Sequence, residues 1–397
     1  MRLLFLTPLF PYPPESGGAI KTWTLLEFLR DRCRLDVLCF HRSELTAEQR
    51  DYAEMFPGSL LALTLDRQRD ARNLLRSYAS GVPLSVYRNA SPQMTEFVGR
   101  QLASTQYDAI FIDHWLMAQY LPEHFGGLRL LHLHNAESVV WRRQVQFERS
   151  AWRRWLLRLE AFRVRRYERS LLARFDHVFA VSEADRQELR ELRRDAPPLD
   201  VLPNVPDPRL LAQPPLEPAD LPKDVLYLGT LSWQPNLQGL STFLEEAFPS
   251  FPLALPGSRL IIAGSGAPPR LRQLAGAYRE IEMVSPAPDA ESLYRRSRAF
   301  LEPVRGGGGT KLKVLNAMAR GLPVVATLDG AQGIEAVSGE HLLVGQGPQE
   351  LLGGLQRLMT DDALWQRLSE NGRRLVAERY RPEQAFGPLA AVLAGER

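Results

Sequence analysis

Cysteine is scarce in this chain: two in 397 residues, Cys33 and Cys39. Both lie in or beside apolar runs, which reads as buried reduced thiols rather than a disulfide. Two cysteines cannot build a four-cysteine zinc site, and no Cys/His cluster shows ligand spacing. The reducing cytosol is the compartment this fits. Long hydrophobic runs are also missing; none approaches the roughly 18 apolar residues of a membrane span. The apolar start MRLLFLTPLFPYPP is broken by Pro8, Pro11, Pro13 and Pro14. It reads as a first strand over 3–7 rather than a secretion signal. Charge of one sign is lacking, since 49 Lys and Arg against 46 Asp and Glu leave only +3. That excludes a whole-molecule field for nucleic acid. The Walker A order Gly-x4-Gly-Lys-Ser/Thr does not occur, and no Gly-x-Gly-x-x-Gly opens the chain as in a nicotinamide domain.

What is present is alternation. Short apolar runs at 3–7, 35–40, 60–65, 109–113, 130–134, 178–181 and 201–202 are separated by amphipathic helical patterns such as 19–30 and 94–102. Near-continuous apolar strands between helices predict a parallel sheet covered on both faces. The stretch VPDPRLLAQPPLEPADLPKD, 205–224, is Pro-rich and without period, and reads as a linker. After it the alternation restarts at 225–229, 260–263, 281–284, 300–303, 324–327 and 342–344, and the tail is helical over 363–378 and 382–393. Two α/β domains follow, and in open α/β sheets ligands bind beyond the carboxyl ends of the strands.

One junction carries the sharpest chemistry. RGGGGTKLKVLNAMARGLPVVAT, 305–327, runs four glycines straight into a helical pattern that ends at Gly321. A helix start offers unpaired N–H groups and the positive end of the dipole, and it attracts anions. Gly306 to Gly309 leave room for a phosphate to come close, and Lys311 and Lys313 add charge in what reads as the first turn. The competing reading is a flexible surface loop with solvated lysines. A second pair, Gly17 and Gly18, follows the first strand and opens the first helical pattern. Alone it fits a capping turn equally well; paired with 306–309 it suggests a diphosphate held between two helix starts.

With these pieces in place, the sequence resembles the retaining glycosyltransferases of family 4, which have the GT-B fold. The most specific part is 306–327, similar to that family's GxGxxxKxxEAMAxGxPVVAT. Supporting pieces are SGG at 16–18, HN-x-E at 134–137, VSEAD at 181–185, VLPNVPD at 201–207 and YLGTLSWQPN at 227–236. The resemblance implies an α/β architecture of two Rossmann-like domains facing each other across a cleft. The N-terminal acceptor-binding domain spans 1–204, the linker 205–223 and the C-terminal nucleotide-sugar-binding domain 224–380. Residues 381–397 form a helix that crosses back to the first domain. It further implies transfer of a hexose, with retention, from a nucleotide-diphosphate sugar to a glycan, lipid-linked or other glycoconjugate acceptor in polysaccharide biosynthesis. No cofactor, metal or nucleic acid takes part. A catalytically impaired sugar-nucleotide-binding subunit and a GT-B epimerase are the alternatives.

Carried over residue by residue, the family's Glu-x7-Glu pair falls on Gly308 and Asn316, neither acidic. Asn316 can still meet ribose hydroxyls through its amide oxygen. The family's Arg and Lys after the first C-domain strand fall on Thr230 and Asn236, so both charges are missing. Lys311, Lys313 and Arg305 are left to neutralise the leaving diphosphate, with Lys311 favoured as the phosphate contact and Lys313 on another helix face. Gly307, Gly309 and Thr310 complete the donor loop. His134, at the end of the fifth strand, matches the histidine that faces the donor sugar; a structural histidine is the other reading. Asp113 and His114, closing the fourth strand, suit acceptor binding, although Asp113 reads equally well as a helix cap. No Asp-x-Asp occurs, which argues against the metal-dependent single-domain transferases.

Finally, 141–174 holds eleven Arg against three Glu, with Trp152, Trp155, Leu159 and Phe162 on one helical face. One reading is a peripheral contact with an anionic membrane, at the inner face of the plasma membrane. The other is a long helix that covers the first sheet.

Overall fold

The computed structural model describes every residue except 15, 16, 42, 66–70, 149, 286, 288, 307, 308 and 397. It divides into two compact units, residues 1–203 with 386–397 and residues 204–385.

The first unit is built on seven strands: β1 (Arg2–Thr7), β2 (Arg34–His41), β3 (Ser59–Thr64), β4 (Ala109–Asp113), β5 (Leu128–His132), β6 (His177–Ala180) and β7 (Leu199–Val201). They run in the order β3-β2-β1-β4-β5-β6-β7, and all pairs are parallel. Every residue of β4 is buried, as expected of a strand covered on both faces. The second unit has six: β8 (Val225–Leu228), β9 (Leu260–Ala263), β10 (Ile281–Val284), β11 (Ala299–Glu302), β12 (Val324–Thr327) and β13 (Leu343–Gly345). Their order is β10-β9-β8-β11-β12-β13, again all parallel. In each sheet the strand order reverses between the first and fourth strands. The crevice at that switch point is where ligands settle in such sheets.

Three expectations shift. The fifth strand ends at His132, two residues before His134, because β4 stops at Asp113, directly opposite His132. The Arg-rich stretch is two helices, Glu137–Phe147 and Ala151–Leu172, not one. Glu148 turns extended between them, and its side chain accepts the Ser150 N–H at 2.8 Å. The stretch 205–223 contains a short helix, Pro208–Ala212, and buries Leu210 and Leu216 in the second core. At the other end of the chain, Phe386 packs edge-on against Phe28 with ring centres 5.3 Å apart.

The strand ends of the second unit approach closely. Gly264, just past β9, has φ +144°, and a Cβ there would sit 1.8 Å from the Gly229 carbonyl oxygen. Gly264→Ala should therefore cost about 3 kcal/mol or more of stability. Gly353→Ala, in a helix with open space around it, should gain up to about 1 kcal/mol. Urea midpoints check both; equal midpoints for the two variants would refute the packing described.

Candidate active site

At the switch point of the first unit, Asp113 ends β4 with no exposed surface. Its Oδ2 accepts from Thr7 Oγ1 (3.2 Å), at the end of β1, and from Thr22 Oγ1 (2.6 Å). Thr22 lies on α1 (Gly17–Arg30). Its Oδ1 accepts from His132 Nδ1 (2.7 Å) and His134 Nε2 (2.8 Å). Burial alone would raise this carboxyl, but His134 and His132 outweigh it and hold Asp113 well below the usual carboxylate range. The bond to Asp113 makes His132 Nδ1 the donor and leaves its Nε2 buried without a hydrogen-bond partner, while His134 is tied to the same oxygen through Nε2. Burial, with the Lys21 charge beside it, brings His132 down to about 3, so it is neutral at physiological pH.

His114 has φ +87°, the one positive value at a non-glycine position among the described residues. That backbone sets its ring 5.1 Å from His134 in an edge contact. Burial, and then His134, lower His114 to about 3. Behind the cluster Lys21 of α1 is buried, donates to the Leu202 carbonyl at 2.8 Å, and is brought down to about 7 by burial, against the pull of Asp113 and Asp185. Asp113, His132 and His134 bring ligand-type atoms within 4.8 Å of one another, the one such grouping among the described residues. Two ring N–H groups already point at the same carboxylate oxygen, and a cation would have to displace both.

The second unit repeats the plan with other chemistry. Glu302 ends β11 without exposed surface, and Lys313 Nζ faces its Oε2 at 2.7 Å. The same ammonium donates to Asn236 Oδ1 at 2.8 Å and lies 4.7 Å over the Tyr227 ring. Asn236 in turn donates to the Thr230 carbonyl at 2.9 Å. Burial lowers Lys313, against the pull of Glu302; burial and then Glu302 raise Tyr227 well above its ordinary value. A Cβ on Gly229 would stand 3.3 Å from this ammonium, so the glycine leaves the node open on that side. Two helices start nearby without side-chain caps, Gln234–Glu246 and Leu312–Arg320.

The sequence motifs are placed as follows. Lys311 is the cap position of the helix, not in its first turn; it is buried, and its ammonium turns back to the Gly309 carbonyl at 3.0 Å. Lys313, expected on another face, is the cation at the strand ends. Asn316 Oδ1 accepts the Asp207 N–H at 3.0 Å, and Asn204 donates to the Thr310 carbonyl at 2.7 Å, so VLPNVPD ties its segment to the helix Leu312–Arg320 and the residue before its cap. Asp185 of VSEAD accepts the Ala136 N–H at 3.0 Å and fixes the turn that follows His134. Arg305 is exposed. Gly306 and Gly309 have φ +76° and +67°, and the Gly306 N–H is taken by Asp329 at 2.7 Å. Gly17 and Gly18 are the exposed first residues of α1. Ser16, Gly307 and Gly308 lie outside the described residues. Sequence reading missed Lys21, Tyr227 and Glu302, and it set His132 aside as lying inside its strand, whereas His132 is the last residue of β5; the signal was a charged or polar residue inside, or ending, an apolar run.

Two family models match the chain: Glycosyltransferase Family 4 over residues 16–210 and Glycosyl transferases group 1 over residues 222–361. An uncharacterized 44.6 kDa protein in the cps region of Klebsiella pneumoniae is 23% identical over 355 residues, 84% of each chain. Sucrose-phosphate synthase from Thermosynechococcus elongatus superposes with a TM-score of 0.67 at 19% identity, over 100% of both chains. HepE of Anabaena, in complex with UDP and glucose, gives 0.69 at 16% identity, also over 100% of both. At these identities the two structures establish the fold.

Two outcomes follow from the buried charges. Lys313→Ala strands Glu302 without its cation and should cost about 3–5 kcal/mol, while Lys313→Met with Glu302→Gln should recover most of it; if the single variant unfolds at the wild-type urea midpoint, the pair is not what holds these strand ends. Lys21 has a folded value near 7 against an ordinary 10.5. Between them the unfolded chain holds the extra proton, so stability rises with pH across that window. Relative to Lys21→Met, wild type should gain up to about 1.4 kcal/mol per pH unit there. Parallel midpoint profiles from pH 7 upward would show that the buried amine does not carry this penalty.

Proposed function

We propose that this chain, which belongs to the glycosyltransferases of group 1 and family 4, moves a hexose from a nucleotide-diphosphate sugar to a glycan or lipid-linked acceptor with retention of configuration. As a GT-B transferase it acts with sugar-nucleotide donors. The finer statement rests on one observation above the others: the second unit gathers Lys313 and two uncapped helix starts at its strand ends, and Lys311 is the cap residue of one of those helices. That is a set of cations and N–H dipoles suited to a diphosphate. The cps-region description of the Klebsiella pneumoniae relative accords with polysaccharide assembly. A lipid-linked acceptor at an anionic membrane surface belongs to the same reading.

In this mechanism the second unit holds the donor. Lys311 and the N–H groups at the start of its helix take the developing charge on the β-phosphate, without a metal. Glu302 keeps the Lys313 ammonium at the strand ends by charge, and Asn236 orients it. Sugar placement falls to His134, whose Nδ1 accepts a hydroxyl while Asp113 holds the ring from behind. Asp113 itself is too deeply buried to touch substrate and acts as a positioning residue; His114, wedged against His134, borders the acceptor. The acceptor oxygen bonds to the sugar C1 as the bond from C1 to the phosphate oxygen breaks on the same face. The acceptor's proton passes to that oxygen, so no protein nucleophile is needed and the protein's contribution is placement and charge stabilisation.

Incubation with uridine, guanosine, adenosine and thymidine diphosphate sugars in the presence of a chelator tests this. Free nucleoside diphosphate with a glycosylated product is expected. Isomerised sugar would instead mean an epimerase, and binding without turnover a pseudo-enzyme. Lys311→Met and His134→Ala should each lower kcat/KM about 100-fold or more. Wild-type turnover in either removes that residue from the site.

A further inference from the structure

The second helix of the Arg-rich stretch, Ala151–Leu172, leaves a stripe of large apolar side chains uncovered. Trp152, Trp155, Leu156, Leu159 and Phe162 are 37–64% exposed, and their spacing puts them on one helical face. A neighbouring helix, Ala71–Ser80, adds Leu74, Leu75 and Tyr78, at 40–71%. Of the fifteen large hydrophobics exposed among the described residues, eight fall on these two helices, so the patch is not ordinary surface scatter. The helices are locked together from beneath. Buried Arg163 donates to the carbonyls of Ser77 and Val82, both at 2.6 Å, and its guanidinium lies 4.0 Å over the Tyr78 ring. Glu160 pairs with Arg163 at 2.5 Å and accepts the Leu84 N–H at 2.7 Å.

Among the described residues of these two helices, exposed charge has one sign. Both acids of the helix, Glu160 and Glu168, are buried, while Arg153, Arg158, Arg165, Arg166 and Arg169 are exposed. Glu168 is spent on the N–H groups of Glu137 and Ser138, at 2.8 and 3.0 Å. On the neighbouring helix Arg76 is exposed as well. Two copies packed through this face would set arginine against arginine, with no exposed acid on the long helix to pair them. No described helix is long and apolar enough to cross a membrane. Tryptophan at the apolar–polar boundary, flanked by arginine, is the composition of a helix that lies in the headgroup layer.

We propose that the face formed by helices Ala71–Ser80 and Ala151–Leu172 docks on an anionic lipid surface, with the aromatic stripe inserted at the headgroup boundary and the arginines on lipid phosphates. The inference deepens the lipid-linked acceptor reading: it supplies the surface on which such an acceptor is met. It places the contact on the second helix of the Arg-rich stretch together with 71–80, rather than on 141–174 as a whole.

Co-sedimentation of the full chain with vesicles tests it, without sugar nucleotide present. Binding is expected to phosphatidylcholine vesicles that contain phosphatidylglycerol, weakened by salt, and not to phosphatidylcholine alone. The variant Trp152→Ala/Trp155→Ala/Phe162→Ala, and separately Arg153→Glu/Arg158→Glu/Arg165→Glu, should each lower the partition coefficient about tenfold or more. Their melting temperature and turnover on a water-soluble acceptor should stay unchanged, so a failure of docking and a failure of the transferase reading separate cleanly. The proposal is overturned if wild type stays in the supernatant with anionic vesicles, or if both variants sediment like wild type. It is equally overturned if light scattering shows a wild-type dimer that the alanine variant splits, since the face would then cover a second copy.

Discussion

Each unit buries a carboxylate at the carboxyl end of its fourth strand, and the local architecture follows from the need to satisfy it. An ionised group removed from water is tolerated only where donors or a cation converge on it. Asp113 draws in the ends of β1 and β5 and the first helix. Glu302 draws in Lys313 from the helix Leu312–Arg320, which in turn engages Asn236 and Tyr227. Because the fourth strand borders the first, where strand order reverses, both convergences occur at the switch point. The constraint that makes the interior tolerable therefore also places polar side chains at the mouth of each sheet.

The two nodes differ in what they leave over. In the first, burial keeps His132 and His114 neutral, so these two rings offer oriented hydrogen-bonding groups rather than positive charge. That suits recognition of hydroxyls. In the second, Lys313 is balanced by Glu302, while Lys311 sits at a helix start whose own N–H groups carry partial positive charge. That suits an anion. This division of labour between hydroxyl-binding and phosphate-binding chemistry parallels the division between acceptor side and donor side that the family reading assigns to the two units.

Strand placement was legible because parallel strands covered on both faces read as near-continuous apolar runs; 109–113, 260–263 and 324–327 coincide with the observed strands. The roles of the lysines were not legible. Whether Lys311 or Lys313 reaches the strand ends depends on the residue at which the helix begins, and the glycine run leaves that undetermined in one dimension. Lys21, His132, Tyr227 and Glu302 look like interruptions of a core, and only tertiary convergence gives them meaning. The basic stretch with its aromatic stripe was visible as a pattern. Its break after Phe147, the burial of both acids and the partner helix at 71–80 were not, because each depends on long-range contacts such as that of Arg163 with Ser77.

The central claim is that the second unit's strand-end node and the helix start at Lys311 receive the donor's diphosphate. A crystal structure of the chain with a nucleoside diphosphate tests it most directly. The account predicts the β-phosphate in hydrogen-bond reach of the main chain at 309–312 and of a lysine ammonium there, with no ion bridging it. A pyrophosphate seated elsewhere, or one whose charge is carried by a chelated divalent cation, would contradict it.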